Sequence, residues 1–89
     1  MSTTFIYVER IKSLREDSDY TQSYVATFLG TSQTMYARYE RGANEMPVRH
    51  LIKLCKLYNV SADYILGFSS EKLGSTTNAK EATNLYKKN

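Results

Sequence analysis

The side chains best suited to recognition chemistry lie between Gln33 and Arg41, in the segment QTMYARYER. At about 100° per residue in a helix, one arc of about 140° collects the polar groups and the opposite arc collects the large apolar groups. The first set is Gln33, Thr34, Ala37, Arg38 and Arg41, and the second is Met35, Tyr36 and Tyr39. Amides, hydroxyls and guanidinium groups can meet base edges or phosphates in a major groove. The solvated face of an ordinary core helix has the same composition, so this face by itself leaves both interpretations open.

Catalytic and metal chemistry have little support in the sequence. His50 and Cys55 are five residues apart, which places them about 140° apart around a helix, and no second base or carboxylate joins them at a catalytic spacing. The single cysteine can form neither an internal disulfide nor a zinc cluster. We expect Cys55 to be a small core residue and His50 an exposed helix residue, and we predict no enzyme, no metal and no cofactor.

Length and charge allow one small domain with a mildly basic middle. The chain has 89 residues and a net charge of +3, and residues 31 to 60 hold five basic and two acidic side chains. That balance suits a docking face for phosphates but does not demand one. No apolar run approaches the roughly 20 residues of a membrane span. Residues 1 to 7 lack the features of a secretory signal. We therefore expect a cytoplasmic protein without a membrane partner.

The spacing of apolar residues predicts an all-α fold of five short helices, because apolar residues recur three and four positions apart. The first carries the stripe Tyr7, Val8, Ile11 and Leu14 and ends in the polar run 17 to 19. The second is capped by Thr21, runs from Gln22 to Leu29 and closes at Gly30, and the third is capped by Ser32, runs from Gln33 to Arg41 and closes at Gly42. Pro47 takes the first position of the fourth, which runs to about Tyr58 with Leu51, Leu54, Cys55 and Tyr58 inside. Ser61 caps the last, which contains Tyr64, Ile65 and Leu66 and closes at Gly67.

The composition changes after Ser69 to serine, threonine, asparagine and lysine. We predict a domain over residues 1 to 69 and a tail over 70 to 89 that is either weakly structured or a short helix used in dimerisation. Asn78 with Glu81 resembles a capping box. Ala79, Ala82, Leu85 and Tyr86 form one weak helical stripe after it.

Two helices joined by a three-residue turn that contains glycine are typical of a DNA-binding helix-turn-helix. The segment TQSYVATFLGTSQTMYARYERG, from Thr21 to Gly42, resembles the phage repressor and Cro-like (XRE-type) helix-turn-helix family. The resemblance extends to RIKSLRED before it and MPVRHLIKLCKLYNVSADYILG after it, so that it covers about residues 5 to 67. It implies a five-helix repressor-like DNA-binding domain that binds operator DNA as a homodimer.

The resemblance also assigns roles to individual residues. Gln33, Thr34 and Arg38 are the expected base-contacting residues, with Gln33 suited to adenine and Arg38 to guanine. The expected phosphate-contacting residues are Gln22, Ser32, Arg41 and Asn44. Arg15 and Glu40 occupy positions where similar repressors form a structural ion pair. Tyr36 stands where an aliphatic residue is usual, so its ring must fit the core at a slant or its hydroxyl must reach solvent.

The leading interpretation is a sequence-specific transcriptional regulator, with repression as its expected action. Two alternatives stay open. One is an antitoxin that regulates its own operon and uses the tail to bind a protein partner. The other is a protein-interaction module that has kept the fold without reading DNA, although such an adaptor has no need for the combination of Gln22, Gln33, Arg38 and Arg41.

Overall fold

The computed structural model describes residues 3–73 of the chain, and within that range it contains five helices and no strand. They are α1 (Thr3–Asp17), α2 (Gln22–Leu29), α3 (Gln33–Glu40), α4 (Val48–Tyr58) and α5 (Ala62–Leu66). The predicted all-α class and the number of helices are confirmed. The predicted stripe of the tail lies outside the described residues.

Local capping chemistry sets most of the helix boundaries. The hydroxyls of Thr21, Ser32 and Ser61 accept hydrogen bonds from the main-chain N–H groups of Tyr24, Met35 and Tyr64, each at 3.0 or 3.1 Å. These bonds satisfy donors that the first turn of a helix otherwise leaves without a partner. The caps predicted for α2, α3 and α5 are therefore confirmed.

Two boundaries differ from the prediction by one residue. Pro47 is the N-cap of α4, with an extended ψ of 149°, and not its first helical residue. Helix α3 ends at Glu40, and Arg41 forms its C-cap. The chain then turns at Gly42, whose φ is +75°.

The core lies where the five helices meet, and it is built mainly of aliphatic side chains with two tyrosines. Its buried members are Ile11, Leu14, Val25, Ala26, Leu29, Tyr36, Tyr39, Leu54, Val60 and Ile65. Leu51, Cys55 and Tyr58, predicted to lie inside, are half-buried at its margin. Because Tyr36 and Tyr39 of α3 are among these core residues, the orientation of α3 depends on core packing.

His50 contradicts the prediction that it is exposed. Its side chain is only 3% exposed, and its ring lies 5.9 Å from that of Tyr39, measured between centroids. Helical periodicity within α4 does not reveal that a residue of another helix lies beside His50. The residue that lies beside it is Tyr39, on α3.

The chain after α5 is held against α1. Arg10 donates from Nη1 to the main-chain oxygens of Tyr64 and Ser69, the second at 2.7 Å, and its guanidinium carbon lies 4.2 Å from the centre of the Tyr64 ring. The N–H of Ser61 donates to the carbonyl oxygen of Lys72. These contacts place residues 69 to 72 beside the helices.

No helix within residues 3–73 has the length and apolar character that a membrane crossing requires.

Candidate nucleic-acid interface

Helices α2 and α3 meet through a three-residue connection whose glycine adopts a left-handed conformation. Gly30 has a φ of +78°, and its N–H donates to the carbonyl oxygens of Ala26 and Thr27. The next N–H, that of Thr31, donates to Ala26 at 3.0 Å. This pattern closes α2 and turns the chain directly into the Ser32 cap of α3.

Helix α3 presents one face to the core and another to solvent. Tyr36 is fully buried, and Tyr39 and Glu40 are 5% and 6% exposed. The opposite side bears the exposed residues Gln33, Thr34, Arg38 and Arg41, with Arg41 at the C-cap, and the half-buried Ala37. We call the exposed residues Gln33, Thr34 and Arg38 the α3 outer face.

The ring of Tyr36 and its hydroxyl both lie inside the core, so the hydroxyl does not reach solvent. The hydroxyl is buried beside the Glu40 carboxylate and makes no well-formed hydrogen bond among the described residues. Burial, followed by the nearby negative carboxylate, strongly raises the pKa of Tyr36. The first of the two alternatives for this residue, a ring fitted into the core, is the one that the structure adopts.

Glu40 is the centre of a buried polar cluster that joins α1, α2 and α3. Arg15 donates from Nε to Glu40 Oε2 at 2.6 Å and from Nη2 to Oε1 at 3.1 Å. Gln22 Nε2 donates to the same Oε1 at 3.1 Å, and Arg15 Nη1 donates to the carbonyl oxygen of Tyr20 at 2.9 Å. The structure therefore brings together the two residues of the expected ion pair and adds Gln22 to them.

Three further residues are predicted to bind phosphate: Ser32 at the start of α3, Arg41 at its end, and Asn44 in the loop that follows. Ser32 is exposed, and its oxygen is occupied by the cap of α3 while its hydroxyl proton can still be donated. Arg41 is exposed, and Asn44 is half-buried. The side chain of Glu45 is exposed in the same loop.

The loop between α3 and α4 is fixed from both sides. The N–H of Ala43 donates to the carbonyl oxygen of Arg38 at 2.9 Å, and the N–H of Met46 donates to the hydroxyl of Tyr7 at 3.0 Å. Arg38 Nε also donates to Asn44 Oδ1. The two contacts that involve side chains, from Arg38 to Asn44 and from Met46 to Tyr7, join residues 6 and 39 positions apart, and no local sequence pattern identifies them.

The polar groups that could bind a ligand come from three places. They are the α3 outer face, the Gln22 amide at the start of α2, and the Arg41 guanidinium after the end of α3. Such groups donate hydrogen bonds to base edges and to phosphate oxygens. Among residues 3–73, no group of three or more His, Cys, Asp or Glu side chains could hold a metal ion.

A helix-turn-helix family profile matches residues 11–65. The chain is 33% identical over 66 residues to the HTH-type transcriptional regulator YobD of Bacillus subtilis strain 168, covering 74% of this chain and 59% of that protein. It is 36% identical over 59 residues to the antitoxin PezA of Streptococcus pneumoniae serotype 4, covering 66% of this chain and 37% of that protein.

Among solved structures, the P22 c2 repressor protein in complex with a synthetic operator is similar in fold. The TM-score is 0.62 at 27% sequence identity, and the match covers 67% of this chain and 91% of that chain. The present chain spans between 46% and 60% of the length of five curated HTH-type regulators that it matches.

Proposed function

This chain belongs to the helix-turn-helix family, and on that premise we propose that it is a sequence-specific DNA-binding transcriptional regulator that acts as a repressor. The observation that carries the proposal is the division of α3 into two faces. Tyr36, Tyr39 and Glu40 hold the helix from within, whereas the α3 outer face turns an amide, a hydroxyl and a guanidinium outward. Similarity to a repressor solved with operator DNA supports the same conclusion.

The α3 outer face enters the major groove in this proposal. Gln33 donates to and accepts from the N6 and N7 edge of adenine, Arg38 donates to O6 and N7 of guanine, and Thr34 contacts a neighbouring base. Bidentate contacts of this kind discriminate between bases because the wrong base pair leaves a donor or acceptor without a partner.

Phosphate contacts flank the base contacts. Gln22 and Ser32 lie at the starts of α2 and α3, where helix N-termini attract anions, and Arg41 and Asn44 follow α3. One N–H of the Gln22 amide points to Glu40, which leaves the second for a phosphate. The proposed function needs no cofactor and no catalytic step, and it places the protein with DNA in the cytoplasm.

A dimer is part of the proposal, with two copies reading half-sites about 34 Å apart on one side of the duplex. Residues 1 to 69 form the DNA-binding part, and the tail over 70 to 89 takes part in dimerisation. A concentration series in light scattering, with and without residues 70 to 89, measures whether the tail is needed.

Selection from a random duplex pool at two salt concentrations tests the function. Gln33→Ala should relax the choice at one base pair by about 1 to 3 kcal/mol, whereas Arg41→Ala should weaken binding to all sequences and reduce the salt slope by about one. Lys12→Ala is the matched control, because Lys12 is an exposed cation on α1 outside the helix-turn-helix. If the unmodified protein shows no sequence preference, the adaptor interpretation replaces this one.

An antitoxin that regulates its own operon is the second candidate, and the similarity to PezA favours it. It differs from a simple repressor in having a toxin partner. Operator affinity measured with and without the product of the adjacent gene separates the two, because only an antitoxin forms a complex with that product.

A further inference from the structure

Arg38 is an exposed side chain that is held in place before any ligand arrives. Its Nε donates to Asn44 Oδ1, six residues further along the chain. A free arginine on a surface samples many rotamers, and fixing one of them on binding costs affinity. The hydrogen bond to Asn44 restricts that freedom in the protein on its own.

The backbone of the loop after α3 brings Asn44 close to Arg38. The N–H groups of Ala43 and Asn44 both donate to the carbonyl oxygen of Arg38, at 2.9 and 3.4 Å, and Gly42 turns the chain with a φ of +75°. The loop therefore folds back over the last turn of α3, and it brings the half-buried Asn44 beside the Arg38 side chain.

The hydrogen bond between Arg38 Nε and Asn44 leaves the two terminal nitrogens of Arg38 available for recognition. A guanidinium has five N–H donors, of which Nε carries one and the two terminal nitrogens carry four. Since Nε is the atom bonded to Asn44, both terminal nitrogens can face a guanine O6 and N7 pair end-on.

We propose that Asn44 is a specificity-determining positioning residue, which orients the Arg38 guanidinium toward a guanine and joins that contact to the adjacent DNA backbone. The inference rests on the proposed function. Asn44 Oδ1 serves Arg38, and its Nδ2 carries two further donors that suit a phosphate. Asn44 thus has a role in sequence choice in addition to the affinity that a phosphate contact supplies.

The first measurement needs no DNA. In the unmodified protein, the Arg38 Nε–H proton should exchange with water more slowly than that of Arg49, an exposed arginine on α4 that serves as the control. Asn44→Ala should bring the exchange rate of Arg38 to that of Arg49. Equal rates in the unmodified protein would overturn the positioning role, whatever the protein binds.

The second measurement is a cycle of four proteins in the random-pool selection: unmodified, Asn44→Ala, Arg38→Ala and the double variant. Asn44→Ala should lower the preference about 2- to 10-fold at the base pair whose preference Arg38→Ala abolishes, and leave the base pair read by Gln33 unchanged. In the Arg38→Ala background, Asn44→Ala should cause no further loss of base preference.

Two outcomes would overturn the inference while the proposed function stands. One is a uniform loss of affinity at all sequences on Asn44→Ala, equal in both backgrounds, which a phosphate contact alone produces. The other is an Arg38→Ala variant with unaltered base preference. Loss of sequence preference in the unmodified protein would instead reject the proposed function itself. Thermal unfolding of each variant verifies that all four are folded at the selection temperature.

Discussion

The guanidinium of Arg15 and the carboxylate of Glu40 form two parallel hydrogen bonds, with Arg15 Nε 2.6 Å from Glu40 Oε2 and Nη2 3.1 Å from Oε1. The two residues lie 25 positions apart, on α1 and α3, and their side chains are 13% and 3% exposed. Because Glu40 is on α3, the orientation of the outer face depends on this pair.

Removing one partner of this pair should cost far more stability than removing both. Glu40→Ala leaves the Arg15 charge in a largely buried site, and we expect a loss of about 3 to 5 kcal/mol in the free energy of unfolding. The double variant Arg15→Met with Glu40→Leu replaces both charges by apolar groups and should lose less than half of that. Urea unfolding near neutral pH measures both, and a loss below about 1 kcal/mol in Glu40→Ala would mean that the pair behaves as an exposed one.

Acid should weaken the fold through the same carboxylate. Burial by itself raises the pKa of Glu40, but the Arg15 and Gln22 hydrogen bonds and the neighbouring Tyr36 hydroxyl outweigh it, so that its pKa lies below the ordinary 4.5. The stabilisation is therefore complete above about pH 4.5 and is lost as the pH falls through the lowered folded-state pKa. Unfolding free energies between about pH 5 and about pH 3 should fall less steeply in the Arg15→Met, Glu40→Leu double variant. Equal slopes would contradict the assignment.

His50 should produce a separate loss of stability at a higher pH. Burial, followed by the positive charges of Arg49 and Lys53, lowers the pKa of His50 below 6.5, and the group that faces it from α3 is the Tyr39 ring. The unfolded chain therefore binds the proton more readily, so that stability is complete above about pH 6.5 and declines as the pH falls toward the folded-state pKa. His50→Leu should abolish the decline between about pH 7 and about pH 5.5 in chemical unfolding. A decline of unchanged size would assign it to other groups.

Two glycines with similar backbones should respond differently to alanine. Gly30 and Gly67 have φ values of +78° and +90°, so that a Cβ is strained at both. At Gly30 a Cβ would meet no atom within 4 Å, whereas at Gly67 it would lie 2.8 Å from Ile6 Cγ2. Gly30→Ala should therefore cost about 1 kcal/mol and Gly67→Ala clearly more, as thermal unfolding can measure. Ile6→Ala should reduce the additional cost of Gly67→Ala, and an equal cost at both sites would show that Ile6 moves freely.

The hydroxyl of Tyr36 should matter much less than its ring. The side chain is fully buried, and the hydroxyl makes no well-formed hydrogen bond among the described residues. Tyr36→Phe should change the free energy of unfolding by less than about 1 kcal/mol, whereas Tyr36→Ala should cost about 3 to 5 kcal/mol through the cavity it leaves. A large loss in Tyr36→Phe would show that the hydroxyl bonds to Glu40 in solution.

The helices and most of their ends were predictable because the relevant interactions are local. Thr21 caps a donor three residues away, and Gly30 closes a turn within its own helix. The separation of the outer face of α3 from Tyr36 and Tyr39 also follows from helical periodicity alone. The roles of the outer-face residues in binding DNA stay predictions until the base preferences are measured.

Contacts from one helix to another, or from a helix to a loop, could not be predicted in this way. His50 was expected to be exposed because nothing near it in sequence reveals that it is buried beside Tyr39. The bond from Gln22 to Glu40 and that from Arg38 to Asn44 depend on how the helices and the loop are placed in space. Helical periodicity assigns a face to each residue, but it does not say which partner lies opposite.

The hydrogen bonds from Arg10 to the carbonyl oxygens of Tyr64 and Ser69 have a practical consequence for shortened forms of the protein. The family profile spans residues 11–65, yet this arginine precedes that span, and Ser69 and Lys72 follow it. A fragment trimmed to the profile would lose both Arg10, the donor of these hydrogen bonds, and Ser69, one of the acceptors. An expressible minimal fragment should therefore begin before Ile6, which packs against Gly67, and extend at least through Lys72.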